Sequence, residues 1–316
     1  MTRTVDIRFA LPVLLALALA AYFLLPDYLG LLRTIFIVAI LALSYDLLQG
    51  HAGIVSLGHA LFFGLGAYTV GVLGGHGVTD PFVTLAAGML LAAVVAGILA
   101  PIVVVGNDFN RLLVTLGVGF LFHEAANQAH GLTGGADGLS SFTVGPIAGL
   151  FAFDFMGHVG FFYTLAGLVV AYLLVWRVTT SPFGLALRGL RENTDRMHAI
   201  GAMVNRHRAM AYVLSGALAG MAGAMLAQTS NFASLDMLGF ERSAEVVMMT
   251  ALGGTGSIPG VVLGATLFTG LKDALSSLSP KYWQLGVGLI LMASVFVLPR
   301  GIAGLADTLR RLARRK

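Results

Sequence analysis

The sequence predicts an all-α fold, a polytopic transmembrane helical protein with about eight to ten spanning segments, some of them broken or re-entrant. Three observations carry this. Hydrophobic residues make up 57% of the 316-residue chain and charged residues only 11%, with a mean hydropathy of +0.88; soluble domains carry about 25% charged residues. The apolar residues gather into runs near the length of about 20 residues that a helix needs to cross a bilayer. Glycine, present 41 times, interrupts those runs at one place in each half, which predicts an inverted internal repeat.

The first run, Phe9 to Leu25, follows Arg3 and Arg8 and contains the triplet Ala18-Leu19-Ala20. A signal peptide has this outline, but the run continues past the triplet, so a retained, peripheral first helix over residues 1–30 is expected. Further runs lie at Ile35–Leu48, Ile54–Leu73, Phe82–Val105, Leu112–Ala129, Gly160–Val178, Ala209–Ala227 and Leu285–Leu298. Between the last two, Val246–Leu252 and Ile258–Leu278 read as a hairpin. The basic segments 179–208 and 300–316 belong on the cytoplasmic side, which requires an even number of crossings. That gives eight full crossings plus the hairpin, or ten if both arms span, with both termini cytoplasmic and one membrane domain over residues 1–316. On this topology Gly131 to His158 faces outside, and Asp137 in LTGGADGLSS is placed to cap a turn.

The interruptions are GHAGIVSLGHALFFGLGAY, from Gly50 to Tyr68, and GGTGSIPGVVLGA, from Gly253 to Ala265. Unwound backbone is tolerated at membrane depth only where protein buries it or where it lines a cavity. Gly53, Gly58 and Gly64 in the first, and Gly253, Gly254, Gly256 and Gly260 in the second, are therefore expected to break helices. Close helix packing through small residues is the other reading, which the spacings Gly216 to Gly220 and Gly260 to Gly264 also serve.

The polar stretch Ser181 to Arg208 holds seven of the 34 charged side chains in 28 residues. Ser181 followed by Pro182 is an N-cap and first-turn pair. Arg188 and Arg191 then share one face and Leu187 and Leu190 an adjacent one. In ENTDRMHAIG, Asn193 or Thr194 can cap a second short helix, Asp195 favours its positive end, and Gly201 can close it in a left-handed conformation. Met197 and Ile200 fall on one side. Two turns do not hold together alone in water, so this helix is expected to dock on a cytoplasmic partner. Enforcement of the positive-inside rule explains the arginines but not the caps, Glu192, Asp195 or the apolar pair.

The stretches GHAGIVSLGHALFFGLGAY, TGGADGL, SPFGLALRGLRENTDRMHAIG and LGGTGSIPGVVLGA occur in this order from about Gly50 to Ala265. Together they resemble the LivM-type permease subunits of ATP-binding-cassette importers for branched-chain amino acids and related solutes. The resemblance implies a bacterial inner-membrane permease that moves branched-chain or other hydrophobic amino acids into the cytoplasm. It also implies a second, homologous permease subunit, two cytoplasmic ATPase subunits and a periplasmic solute-binding protein as partners. Glu192 to Gly201 then looks like the helix that sits on the ATPase, with Arg191, Glu192, Asn193, Asp195, Arg196, Met197, Ile200 and Gly201 as coupling residues. The family often carries a Ser-Asp pair where this chain has Ala136-Asp137, which puts a role for that hydroxyl in doubt.

No GxxxxGK[ST] loop occurs, so ATP and Mg are expected on the partner subunits and no cofactor on this chain. No HExxH, GxSxG or Cys/His cluster occurs, and His51 and His59 are poorly spaced for a metal, so neither an enzyme nor a metal site is expected. The net charge of +4 reads as topology rather than nucleic-acid affinity. Gln49, His59, Phe63, Tyr68, Glu124, Asn127 and Ser257 are the expected pathway residues, with the Phe62–Phe63 pair as a gate or as ordinary core or lipid-facing residues. The rival reading is an ion- or proton-coupled secondary transporter that uses His123 and Glu124, because ionisable groups at membrane depth are functional candidates.

Overall fold

The computed structural model describes residues 7–140, 142–154, 156–279, 281–297 and 301–304; most of the basic tail and Arg3 lie outside them. Among the described residues the chain is helical, with isolated bridges but no strand. The helices are α1 (Ile7–Leu24), α2 (Leu29–Asp46), α3 (Ala60–Gly75), α4 (Pro81–Val103), α5 (Asp108–Gln128), α6 (His130–Thr133) and α7 (His158–Thr180). Then follow α8 (Pro182–Glu192), α9 (Thr194–Ala199), α10 (Val204–Ser230), α11 (Phe240–Gly253), α12 (Ile258–Leu278) and α13 (Trp283–Val297). Five helical segments among the described residues are long and apolar enough to cross a membrane: Pro26–His51, Pro81–Val103, His158–Thr180, Val204–Ser230 and Ile258–Leu278. α5 is as long as α12, but its length is broken by polar residues.

α2 is apolar all round and is the centre of the bundle. From Ile35 to Leu48 every residue is buried, as expected of a helix without a polar face. α7, α10, α11 and α12 pack around it. α3, α4 and α10 form a second layer that closes through small residues. A Cβ at Gly66 would lie 2.0 Å from the Gly220 carbonyl, and one at Gly223 would lie 1.7 Å from that of Phe63. Gly216 and Gly220 face Ala96 and Ala92 of α4, so this GxxxG spacing serves packing. Gly260 and Gly264 do the same against Gly253 and Met249 of α11.

Two ends of the bundle differ in character. One carries α8, α9, the 103–108 connection and the 254–257 turn; the described end of the chain joins it, because Gly301 packs on Gly254. The other carries the 129–157 segment. That segment is tied to the rest by a bridge between Leu139 and Ala233 and by a hydrogen bond from Gly145 N–H to Thr79 O of 2.8 Å. Its turns use Gly134, Gly135 and Gly138, all with positive φ. Asp137 was expected to cap one of them; it is instead exposed, without a side-chain hydrogen bond among the described residues.

Side-chain caps set several boundaries. Asp80 accepts from Phe82 and Val83 N–H before α4, and Asn107 accepts from Asn110 N–H, starting α5 a turn before the apolar run. Asp154 accepts from His158 N–H at 2.9 Å and Val159 N–H at 2.8 Å at the start of α7. Partial burial would raise its pKa, but these two donors outweigh it and hold the carboxyl below its ordinary value. The stabilisation is therefore present above about pH 4 and is lost as pH falls through the lower folded value. Asp154→Ala is expected to cost about 1 kcal/mol, read as a lower melting temperature in detergent at pH 7 that converges on wild type in acid.

Candidate coupling and translocation site

The two glycine-rich interruptions meet at the end that carries α8 and α9. α2 widens into a π-helical turn, Leu47–His51, and then leaves helical geometry until Ala60. Ile54–Leu73, expected as one span, is thus helical only from Ala60; Gly53, at φ +71°, takes the chain out of the helix. The second interruption is tighter. α11 ends at Gly253, Gly254 and Gly256 have φ of +97° and +85°, and α12 begins at Ile258.

Asp46 joins the two. Its Oδ1 accepts from Gly256 N–H at 2.7 Å, and its own carbonyl and Oδ2 lie 3.2 and 3.7 Å from His51 Nδ1. A Cβ at Gly50 would sit 2.2 Å from Asp46 Oδ1 and 2.6 Å from Gly256 N, so only glycine fits between them. A second tie runs from Thr250 Oγ1 to Gln49 Oε1, at 3.3 Å.

The polar segment reaches this junction through Arg191. α8 is capped by Ser181, whose Oγ accepts from Gly184 N–H, and buries Leu187 and Leu190. Arg188 donates to the Thr179 carbonyl at 2.7 Å and so closes the end of α7. Arg191 turns its guanidinium inward, where Nη1 donates to the Gly50 carbonyl and lies beside Gly256, while its stem covers Gly53. α9 follows as a separate helix: Asn193 Oδ1 accepts from Arg196 N–H at 2.9 Å, and Gly201 ends it at φ +83°. Arg208 of α10 donates to Thr194 Oγ1 at 3.0 Å. Glu192, Asp195, Arg196 and Ile200 are exposed, Ile200 at 76%. Met197 and Ile200 were expected on one docking face; Met197 instead packs back on Gly189, because that glycine leaves room for its sulfur.

The expected pathway residues are dispersed. His59 is fully buried, with Nε2 2.8 Å from Ser44 Oγ and its ring edge-on to Tyr45 and Phe62. Phe62 and Phe63 are also fully buried and Tyr68 is nearly so. Ser257 accepts from Gly260 N–H as the N-cap of α12. Gly58 abuts the Thr115 carbonyl and Gly64 abuts Leu238, so both are close-packing positions, and valine at either tests packing before it tests a path. Gln49 belongs to the junction. Glu124 is exposed and accepts from Gln128 at 2.8 Å and Asn127 at 3.4 Å; no hydrogen bond joins it to His123. His123 faces a cavity of about 50 Å³ whose walls include Gly58, Gly119, Phe120, Phe240 and Ser243. Phe120 and Phe240, half-exposed, stack at its edge with centroids 6.3 Å apart.

Reading the sequence alone missed Asp46 and Thr250 and gave Arg191 only an outward role. A signal existed for Asp46, which is the one carboxylate in the run Ile35 to Leu48; an ionisable residue there warrants a functional reading. Nothing local marks Thr250.

A bundle of apolar helices, two of them broken at one junction and held there by an arginine from an external helical elbow, is a multi-pass membrane permease. The chain belongs to the family described as branched-chain amino acid transport system / permease component, whose model matches residues 28–295. The high-affinity branched-chain amino acid transport system permease protein LivM of Escherichia coli K12 is 27% identical over 285 residues, 83% of this chain and 67% of that protein. LivH of the same organism, a permease protein of the same-named system, is 26% identical over 84% of this chain and 91% of its own length. The autoinducer 2 import system permease protein LsrC of Salmonella paratyphi B is 26% identical over 78% and 71%. No solved structure matches the chain. The family and these relatives make the chain a transport subunit of the bacterial inner membrane.

Proposed function

We propose that this chain is a permease subunit of an ATP-binding-cassette importer for branched-chain or other hydrophobic amino acids, with ATP hydrolysed on two cytoplasmic partner subunits. The end bearing α8 and α9 faces the cytoplasm, together with both termini. The other permease is a homologue, as the similarity to both LivM and LivH suggests, and a periplasmic protein delivers the solute. The observation that carries this reading is the bridge from the capped, exposed elbow to the junction of the two broken helices through Arg191.

In mechanism, closure of the ATPases pushes on the exposed residues of α9 and its flanks, Asp195 and Arg196 with Glu192 before them and Ile200 after. α9 is too short to absorb the movement and is fixed to α10 by Thr194 and Arg208. α8 therefore moves with it, and Arg191 transmits the displacement to Gly50 and Gly256. Backbone that is already out of helical hydrogen bonding shifts at least cost, so the π turn and the 254–257 turn are where the bundle yields.

Reversal of both charges, Asp195→Arg with Arg196→Asp, tests the docking. Uptake of labelled leucine by the full assembly in liposomes is expected to fall by at least about tenfold while the chain stays in the membrane. Uptake and ATPase stimulation at wild-type levels would falsify the docking role, and uptake by this chain alone, without ATPases and driven by a proton gradient, would establish a secondary transporter.

A further inference from the structure

Arg242, Glu245 and Lys272 form a charged cluster that the coupling junction does not use. Glu245 accepts from Arg242 Nη1 through Oε2, at 2.7 Å, and from Lys272 Nζ through Oε1. Arg242 and Glu245 are one turn apart on α11, and Lys272 projects from α12. Ser243, beside Arg242, accepts from Ala60 N–H at the base of α3. Lys272 lies 14 residues into α12, roughly 21 Å from the coupling end at the rise of an α-helix. The cluster thus includes a residue of the apolar segment Ile258–Leu278, well removed from the coupling end.

One carboxylate holding two cations has a net positive charge. Burial of a charge in a membrane is costly unless it is paired, and an Arg–Glu pair alone would satisfy Glu245. The second cation adds a cost that the ion pair does not require. Glu241 and Asp273, the neighbouring acids in sequence, are exposed and pair with neither cation. Glu245 is the most enclosed of the three, with a side chain 12% exposed, whereas those of Arg242 and Lys272 are 24% and 32% exposed. Both cations also rest on aromatic rings, Arg242 at 6.0 Å from the centroid of Phe63 and Lys272 at 4.9 Å from that of Trp283. Glu245 and the rings fix the cations in place, and their free N–H groups remain partly open.

We infer that this cluster binds the carboxylate of the transported solute, with Glu245 as a positioning residue and Arg242 and Lys272 as the donors. An incoming carboxylate supplies the missing negative charge and two charge-assisted hydrogen bonds. The inference rests on the importer reading and assigns which residues of this chain hold the carboxylate of its solute.

The test separates net charge from structure. Lys272→Gln leaves a balanced Arg242–Glu245 pair, so the fold should keep its melting temperature in detergent. Leucine uptake by the reconstituted assembly is nevertheless expected to fall about tenfold or more. Glu245→Gln combined with Lys272→Gln restores the single positive charge, and uptake is expected to return to within about threefold of wild type. Lys272→Arg should retain uptake on the same scale. Unchanged uptake in Lys272→Gln overturns the inference and leaves a structural ion cluster. Failure of Lys272→Gln to co-purify with the second permease overturns it in favour of a carboxylate on that subunit, and a loss not rescued by the double variant also overturns it. Absence of ATP-dependent uptake in the wild-type assembly removes the importer reading itself, and this inference with it.

Discussion

Arg191→Gln is expected to leave the chain folded and in the membrane, to leave basal ATP hydrolysis by the assembly within a few-fold of wild type, and to lower ATP-driven uptake by roughly 10- to 100-fold. The reason is the geometry of one side chain. Arg191 starts on α8, outside the bundle, and its guanidinium ends on the Gly50 carbonyl beside Gly256. Glutamine is shorter and uncharged, so the elbow keeps its caps at Ser181 and Asn193 but loses its grip on the junction. Arg191→Lys keeps the charge without the planar fork and should fall between the two. Coupled uptake and ATPase rates in proteoliposomes read the effect directly; uptake at the wild-type rate in Arg191→Gln would show that the movement enters the bundle elsewhere.

Gly50→Ala is expected to have the largest effect on the fold. The added methyl group would lie 2.2 Å from Asp46 Oδ1 and 2.6 Å from Gly256 N, between the two partners of the hydrogen bond that joins the interruptions. One of them must move. Loss of that buried hydrogen bond with overpacking costs about 3–5 kcal/mol, seen as a large drop in melting temperature and absent uptake. Gly75→Ala is the control: it lies in the last turn of α3 with no atom within 4 Å of the added carbon, and it is expected to be neutral or slightly stabilising. If the two variants melt alike, the junction does not depend on the close approach at Gly50.

Much of the polar elbow was legible because caps are local. Ser181 with Pro182, Asn193 ahead of Thr194, and Gly201 each act within four residues, and the structure uses all of them as caps or terminators. The interruptions were legible as glycine clusters: Gly53 and Gly58 lie in the non-helical stretch before Ala60, whereas Gly64 lies inside α3 as a packing contact that no local pattern separates from a hinge. The pathway residues fared differently. His59 and Phe63 sit in the same glycine-rich stretch as the junction, yet both are fully buried in the core, His59 beside Tyr45 and Ser44 at the start of α3. Which way a helix faces depends on its neighbours, and a run that is apolar all round carries no phase to read.

By itself the sequence determined that this chain is a bundle of apolar helices, where two of them break, and where a capped polar elbow leaves the membrane. These follow from hydrophobic run length, from glycine's tolerance of positive φ and from side-chain caps, all of which act over short stretches of chain. Only the tertiary structure decided that the two breaks, more than 200 residues apart, share one hydrogen bond at Asp46, that Arg191 points inward to them, and that Glu245 gathers cations from two helices. Such contacts are made between groups that meet only after the helices pack. Their energies come from low local dielectric and close backbone approach, which exist only once the bundle has formed.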